Sequence, residues 1–126
     1  MMEKIKKVIF TLLIFIACLT LIPFHKEVLA ASESHNTVFI KKVSKDFTKK
    51  FCNAIGFGLS QESAMVFSLE ENKQVFKKRK EINDVNKDLL AEEIAISVVE
   101  KCGYPINLSG EKGIIDFKNY YLSKDK

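Results

Sequence analysis

The fold is decided by the stretch VFIKKVSKDFTKKFCNAI, residues 38–55. Apolar side chains recur there at every fourth position, and lysines occupy much of the space between them. Because an α-helix places residues four apart on one face, this spacing predicts an amphipathic helix. Its aromatic face consists of Phe39, Phe47 and Phe51 with Val43 between them, and its basic face of Lys41, Lys42, Lys45 and Lys49.

The limits of this first helix follow from its flanking residues. Asn36 or Thr37 has a side chain suited to cap its start. Gly56 and Gly58 are expected to end it, because glycine accepts the left-handed conformation that closes a helix. We therefore predict that the helix covers 38–55 and carries one face of the core.

The rest of the chain predicts further helices. The second covers roughly residues 61–77, the third covers 87–102, and a short fourth follows. Each is preceded by a residue suited to cap it: Ser60, then Asp84 or Asn86, then Ser109. No stretch alternates with a period of two for long, so few or no strands are expected. The predicted fold is all-α, a small bundle of three to four helices in a domain covering 38–122, with a polar tail at 123–126.

The second and third helices differ in how much of their surface is apolar. In the second, Met65, Leu69 and Phe76 share a face, which Val66 and Phe67 are expected to widen. The third is apolar around most of its circumference, which is typical of a central helix. Its core line is Leu90, Ile94, Val98 and Cys102, with Ala91, Ala95 and Val99 beside it.

The first residues of the chain have the pattern of an export signal. A lysine-rich start precedes the uncharged apolar run Val8 to Ile22, and small residues follow at a cleavage site. We predict a signal peptide at 1–30 that is cut after Ala30, or after Ala31 as a second choice. A flexible polar linker at 31–37 then leads into the domain.

Two other interpretations of this segment stay open. It would be a retained anchor if no cleavage occurred, although the apolar run is shorter than the ~20 residues of a spanning helix. It would be a lipoprotein signal if Phe15-Ile16-Ala17-Cys18 served as a lipobox, with the lipid on Cys18. The apolar residues directly after Cys18 argue against the lipoprotein, since a mature lipoprotein usually begins with polar residues.

Composition excludes several function classes. Removal of residues 1–30 removes four lysines and two glutamates, so the formal net charge falls from +4 to +2. A net charge of +2 is a weak indication of nucleic-acid binding, and we expect no nucleic-acid partner. No cluster of cysteine and histidine has the spacing of a zinc site, and we expect no metal and no cofactor.

Cys52 and Cys102 are the cysteines left after cleavage. An even pair in an exported protein predicts a disulfide. Both lie near the ends of helices that share one end of an up-down-up bundle, but Cys52 on a continuous helix points toward the lysines. Either the helix unwinds before Cys52 or the bond is absent. A thiol-dependent enzyme, with free Cys52 or Cys102, is an alternative function.

Three segments of the chain carry a resemblance: residues 51–60, residues 62–65 and Cys102-Gly103-Tyr104-Pro105-Ile106. Together they resemble small uncharacterised exported proteins of marine cyanobacteria. The resemblance implies a location, the thylakoid lumen or the periplasm, and implies no activity, ligand or partner.

The leading functional hypothesis is a non-enzymatic binding or auxiliary protein that is exported to the periplasm, the thylakoid lumen or the extracellular space. Its partner would be a protein at a membrane complex, which the basic face of the first helix would contact. The alternative is a peripheral protein that lays the helix 38–55 on an anionic membrane surface.

Overall fold

The computed structural model describes residues 1–19 and 27–126, and the side chains of residues 1–11 and 35–126. Within these ranges the chain forms five α-helices, two short 3-10 helices at Lys80–Asn83 and Tyr104–Ile106, and no strand. The α-helices are α1 (Met2–Leu19), α2 (Glu27–Gly56), α3 (Gln61–Phe76), α4 (Lys87–Cys102) and α5 (Gly110–Lys124). The all-α prediction is confirmed. The helix count exceeds the predicted three to four because α1 forms within the predicted signal.

The chain divides into two compact units, residues 1–33 and residues 34–126. Helix α2 begins at Glu27 instead of Val38, so neither Asn36 nor Thr37 caps it, and the predicted linker 31–37 is helical. The earlier start has a simple reason: no proline or glycine interrupts the chain between Glu27 and Gly56. The side chains of the predicted cleavage sites Ala30 and Ala31, and that of Cys18, lie outside the described residues.

The core of the second unit is built on aromatic contacts between α2 and α5. Phe47, Phe51 and Phe117 are fully buried. The ring of Phe51 meets that of Phe117 edge to face with centroids 5.1 Å apart, and Phe47 meets Tyr121 in the same way at 5.3 Å. Aromatic pairs favour this geometry because the positive edge of one ring faces the negative face of the other. The aromatic face of α2 is therefore occupied by the rest of the domain.

Helix α4 packs along α5 and supplies the aliphatic part of the core. Its predicted core line is buried, together with both alanines: Leu90, Ala91, Ile94, Ala95, Val98 and Cys102. Val99, predicted beside them, is partly buried against the core. On the surface Lys118 Nζ of α5 lies 2.8 Å from Asp88 Oδ2 and 3.1 Å from Glu92 Oε2 of α4. The prediction of the α4 core line is confirmed.

Helix α3 shows a different face from the predicted one. Val66 and Phe67 are exposed, so the prediction that they widen the core face is wrong. The core side of α3 is instead widened by small and polar residues four positions apart, and its buried residues are Ala64, Met65, Ser68, Leu69, Asn72 and Phe76. At the end of α3 the Phe76 ring meets the Phe39 ring of α2 edge to face, with centroids 5.7 Å apart.

The helix ends follow the sequence in most places. Ser60 Oγ accepts a hydrogen bond from the Ser63 amide at 3.2 Å, and Asn86 Oδ1 accepts from the amides of Asp88 and Leu89. Ser109 occupies the position before α5, but its side chain makes no capping hydrogen bond. After α2, Gly58 has a φ of 92°, a left-handed conformation that glycine adopts without steric cost.

Candidate functional site

The basic face predicted on α2 is a continuous exposed surface. Lys41, Lys42, Lys45 and Lys49 are all exposed. Within the described residues none of the four takes part in an ion pair. The nearby Lys50 differs, because its Nζ lies 2.6 Å from Asp46 Oδ2. At 1.5 Å of rise per residue, the four lysines span roughly 12 Å of helix. We call them the lysine face.

The two predicted cysteines form a disulfide. Cys52 and Cys102 are joined with their Cα atoms 5.6 Å apart, and α2 continues as a helix through Gly56. Both outcomes that the sequence left open, an unwound helix or no bond, are therefore wrong. The buried side of α2 is wider than its aromatic line, because Ser44 and Thr48 are also buried. Cys52 follows Thr48 by four residues and so lies at the edge of this buried side, within reach of α4.

Close packing surrounds the disulfide at the end of α4. A Cβ atom added to Gly103 would clash with the carbonyl oxygens of Val99 and Leu108. Glycine is therefore required directly after Cys102, where the chain turns back against α4. With both sulfurs in the bond, neither cysteine is a thiolate in this structure, and His35 is an exposed residue near the start of the unit.

The loops that follow α2 and α4, both near the disulfide, present exposed apolar side chains. Phe57 is 85% exposed and Tyr104 is 97% exposed. Phe57 shares a shallow depression with Phe67 of α3, whereas Tyr104 borders another depression beside the start of α5. The lining residues of the two depressions do not overlap, so the loops form two separate apolar surfaces.

A cleft that the sequence analysis did not find lies toward the other end of the domain. It has a volume of about 320 Å³ and lies between the end of α3, the connection to α4, the start of α4 and the end of α5. Its apolar lining comprises Val43, Leu69, Phe76, Ile82, Val85, Leu90 and Tyr121. Its polar lining includes Asn72 and Asp125, with Lys73, Lys77 and Lys87.

Two buried polar side chains line this cleft. Asn72 is 6% exposed, and its Nδ2 donates to the Val43 carbonyl oxygen at 3.1 Å and to Asp46 Oδ2 at 2.9 Å. These two bonds use both amide hydrogens, so Asn72 Oδ1 is left as an acceptor without a partner among the described residues. Tyr121 is 3% exposed, and its hydroxyl also makes no hydrogen bond within the described part of the chain.

The environment of Tyr121 keeps its hydroxyl protonated. Burial raises the pKa of the Tyr121 phenol well above its ordinary value, and the Asp125 carboxylate raises it further. The group therefore remains a hydrogen-bond donor at any physiological pH.

Among the described residues, two buried side-chain oxygens are inaccessible to solvent and have no hydrogen-bond partner: Thr48 Oγ1 and Ser68 Oγ. Asn72 Oδ1 and Tyr121 Oη are not sealed.

One ion pair joins two walls of the cleft, and another lies on the connection beside it. Lys73 Nζ of α3 lies 2.9 Å from Asp125 Oδ1, just beyond α5. On the connection, Arg79 Nη2 lies 2.8 Å from Glu81 Oε1, and the Arg79 guanidinium lies 5.6 Å from the centre of the Phe39 ring. The hydrogen bond from Arg79 lowers the pKa of Glu81 to about 2. The connection between α3 and α4 is thereby fixed against α2.

Comparison with known proteins gave no relatives. No protein-family model matched the chain, and no match was found among curated proteins or solved structures. None of the described helices is long and apolar enough to cross a membrane. Among the described residues, no group of three or more histidine, cysteine, aspartate or glutamate side chains is placed to hold a metal ion.

Proposed function

We propose that this chain is a small, exported, non-enzymatic binding or auxiliary protein of the periplasm or thylakoid lumen. It acts by presenting the lysine face of α2 to an acidic protein partner at a membrane complex. The resemblance to exported cyanobacterial proteins supports the compartment. The geometry of α2 supports the mode of binding.

One observation carries the proposal: the lysine face is exposed and free of ion pairs within the described residues, while the opposite face of α2 is buried in the core. A rigid helix therefore holds four positive charges in a fixed pattern. Charges arranged in this way steer and orient an acidic partner, and they contribute more to association rate and specificity than to fold stability.

The same observation ranks the membrane alternative second. A helix that lies in a membrane surface inserts its apolar face at the boundary of the acyl chains. Phe47 and Phe51 are fully buried against Tyr121 and Phe117, so this face is not available while the domain is folded. The lysine face would contact an anionic membrane by charge alone.

The disulfide supports export and disfavours the thiol enzyme. Structural disulfides persist in oxidising compartments and are rare where thiols are kept reduced. A nucleophilic cysteine must be a free thiolate, and the bond between Cys52 and Cys102 removes both candidates.

Intact mass spectrometry of the protein from its native host tests the compartment. We expect a mass that begins at Ala31 and takes up two alkylating groups only after reduction. A mass that retains the first residues would make the protein membrane-anchored, as would a lipid on Cys18. Two thiols that react without reduction would favour the alternative of a thiol-dependent enzyme.

Co-sedimentation with membranes of the native host tests the lysine face. The test variant carries Lys41→Gln, Lys42→Gln, Lys45→Gln and Lys49→Gln, and the matched control carries glutamine at the exposed Lys78, Lys80, Lys101 and Lys112. Both variants lose four charges. We expect membrane binding to be lost in the first and kept in the second.

Lipid vesicles separate the two kinds of partner. Near an anionic surface each lysine contributes about 1 kcal/mol, so loss of four would weaken vesicle binding roughly a thousandfold. Strong binding to phosphatidylglycerol vesicles at low salt that the test variant abolishes would favour the membrane alternative. No binding to native membranes or to vesicles would overturn both interpretations of the lysine face.

A further inference from the structure

We propose that the cleft between α3, α4 and α5 binds a medium-chain amphiphile with a carboxylate head and a nearby hydroxyl group, of the kind represented by a β-hydroxy fatty acid. This inference is independent of the proposed function, because no residue of the lysine face lines the cleft.

The size and lining of the cleft fit a single hydrocarbon chain. Its volume of about 320 Å³ lies at the lower end of the range of small-molecule sites, roughly 300–1,000 Å³. Such sites are mostly apolar with a few placed polar groups. Here Leu69 and Phe76 of α3 and Leu90 of α4 line the space, and a bound hydrocarbon chain would cover their apolar surface from water.

Positive charge at the cleft fits an anionic head group. Lys73 is neutralised by Asp125, so the excess charge comes from Lys77 and Lys87. Neither has an ion-pair partner among the described residues, and Lys77 Nζ donates a single hydrogen bond to Gln74 Oε1. A carboxylate is a head group that these two ammonium groups would bind through charge-assisted hydrogen bonds.

The unpaired polar groups fit a hydroxyl. Asn72 Oδ1 needs a donor, because its own amide hydrogens are engaged by Val43 and Asp46. Tyr121 Oη offers a donor, because a phenol is protonated at physiological pH and this one makes no hydrogen bond within the described part of the chain. A hydroxyl both donates and accepts, so one such group satisfies both side chains where a plain hydrocarbon would leave them unpaired.

The structure explains why these groups are ready for a ligand. Asn72 is held in place by its two hydrogen bonds to α2, and the Tyr121 ring is held by its edge-to-face contact with Phe47. A ligand therefore meets polar groups that are already positioned, which lowers the entropic cost of binding. The Lys73–Asp125 ion pair keeps the end of α5 beside α3 at the cleft.

Isothermal titration of the purified protein with four amphiphiles of equal chain length tests the proposal, below their micelle concentrations. The compounds are β-hydroxydodecanoate, dodecanoate, dodecanol and dodecyltrimethylammonium. We expect saturable binding in that order of affinity, with no saturable binding of the cationic compound. Equal binding of all four, or saturable binding of none, would overturn the proposal.

Substitutions in the cleft test which side chains contact the hydroxyl and the carboxylate of the ligand. Tyr121→Phe keeps the ring and removes the hydroxyl, so it should weaken β-hydroxydodecanoate about fivefold and leave dodecanoate nearly unchanged. Lys77→Gln with Lys87→Gln should weaken both carboxylates roughly tenfold and leave dodecanol unchanged. Lys101→Gln with Lys112→Gln is the matched control and should change nothing.

The variant that lacks the lysine face separates this proposal from the previous one. It should bind β-hydroxydodecanoate as tightly as the natural protein does. Loss of amphiphile binding in that variant would place the ligand on the surface of α2 and contradict the proposal. Unchanged binding in the cleft variants, Tyr121→Phe and Lys77→Gln with Lys87→Gln, would also contradict it. Circular dichroism of each variant confirms that the helices are retained.

Discussion

Lys73 Nζ and Asp125 Oδ1 lie 2.9 Å apart and join the end of α5 to α3. The Asp125 side chain is only 13% exposed, which is unusual for a residue next to the C-terminus. Next to it Lys124 Nζ lies 3.0 Å from Glu62 Oε1. The end of the chain, predicted from sequence as a polar tail, is thus held on the domain by two ion pairs.

Replacement of Asp125 by asparagine should lower the free energy of unfolding by about 0.5–1 kcal/mol, the upper part of the range for surface ion pairs. The reason is that the pair is partly shielded from water. Asp116→Asn is the matched control, because Asp116 is more exposed and lies 4.0 Å from Lys112. Urea denaturation of both variants measures the difference. Equal losses would show that the burial of Asp125 adds nothing.

The disulfide should dominate the stability of the domain. Cys52 and Cys102 are separated by 50 residues, and a bond that closes so long a loop contributes on the order of 4 kcal/mol by restricting the unfolded chain. A double variant with alanine at both positions should lose about that much in urea denaturation. Reductant should destabilise the natural protein to the same degree and leave the variant unaffected. A denaturation midpoint that is insensitive to reductant would contradict this prediction.

Phe117 and Phe57 should differ in their contribution to the free energy of unfolding, because one is buried and the other is exposed. Phe117 is fully buried against Phe51, and Phe117→Ala should cost about 3–5 kcal/mol because it leaves a cavity in the core. Phe57 is 85% exposed, and Phe57→Ala should change stability by less than about 0.5 kcal/mol. Thermal or urea denaturation of the pair checks the core directly. Similar losses at the two positions would contradict a core contact between Phe117 and Phe51.

The Glu81 carboxyl should titrate at about pH 2, well below its ordinary 4.5, because Arg79 donates hydrogen bonds to its ionised form. Carbon NMR of the glutamate carboxyl groups measures this pKa. Arg79→Gln should return it toward its ordinary value, and Arg79→Lys should leave it between the two because it keeps the charge and loses the paired hydrogen bonds.

The sign of the pH dependence follows from the direction of that shift. A carboxyl with a lowered pKa in the folded state favours folding while it is ionised, so its contribution is present above the ordinary pKa. The contribution is lost as pH falls from about 4.5 toward 2. The Arg79→Gln variant should therefore show a weaker fall in stability over that window. An identical fall in stability in the natural protein and the variant would contradict a stabilising ion pair between Arg79 and Glu81.

Much of the bundle could be predicted, because its strongest signals are local. Leu90, Ile94 and Val98 recur at helical spacing, and all three are buried as predicted. Gly58 and Asn86 likewise act at the helix ends through their own conformational and hydrogen-bonding chemistry. Such features depend on residues within one or two turns, so the sequence contains them in full.

The wrong prediction of the core face of α3 shows that the spacing of residues within one helix is not always enough to identify its buried side. Hydrophobicity favoured Val66 and Phe67 for the core, yet the structure buries Ser68 and Asn72 there. The Val43 carbonyl and the Asp46 carboxylate of α2 give Asn72 its hydrogen-bond partners. These partners lie on another helix, so the spacing of α3 alone could not reveal them.

The sequence by itself determined that the chain is helical and which faces of α2 are basic and aromatic, and it made Cys52 and Cys102 candidates for a disulfide. It did so because helical periodicity and the positions of the cysteines are properties of the chain order. Only the tertiary structure decided that the aromatic face of α2 is fully occupied, that Cys52 reaches α4 from a continuous helix, and that a cleft forms around Asn72 and Tyr121. Those outcomes depend on distances between residues far apart in the chain, which packing of the helices sets.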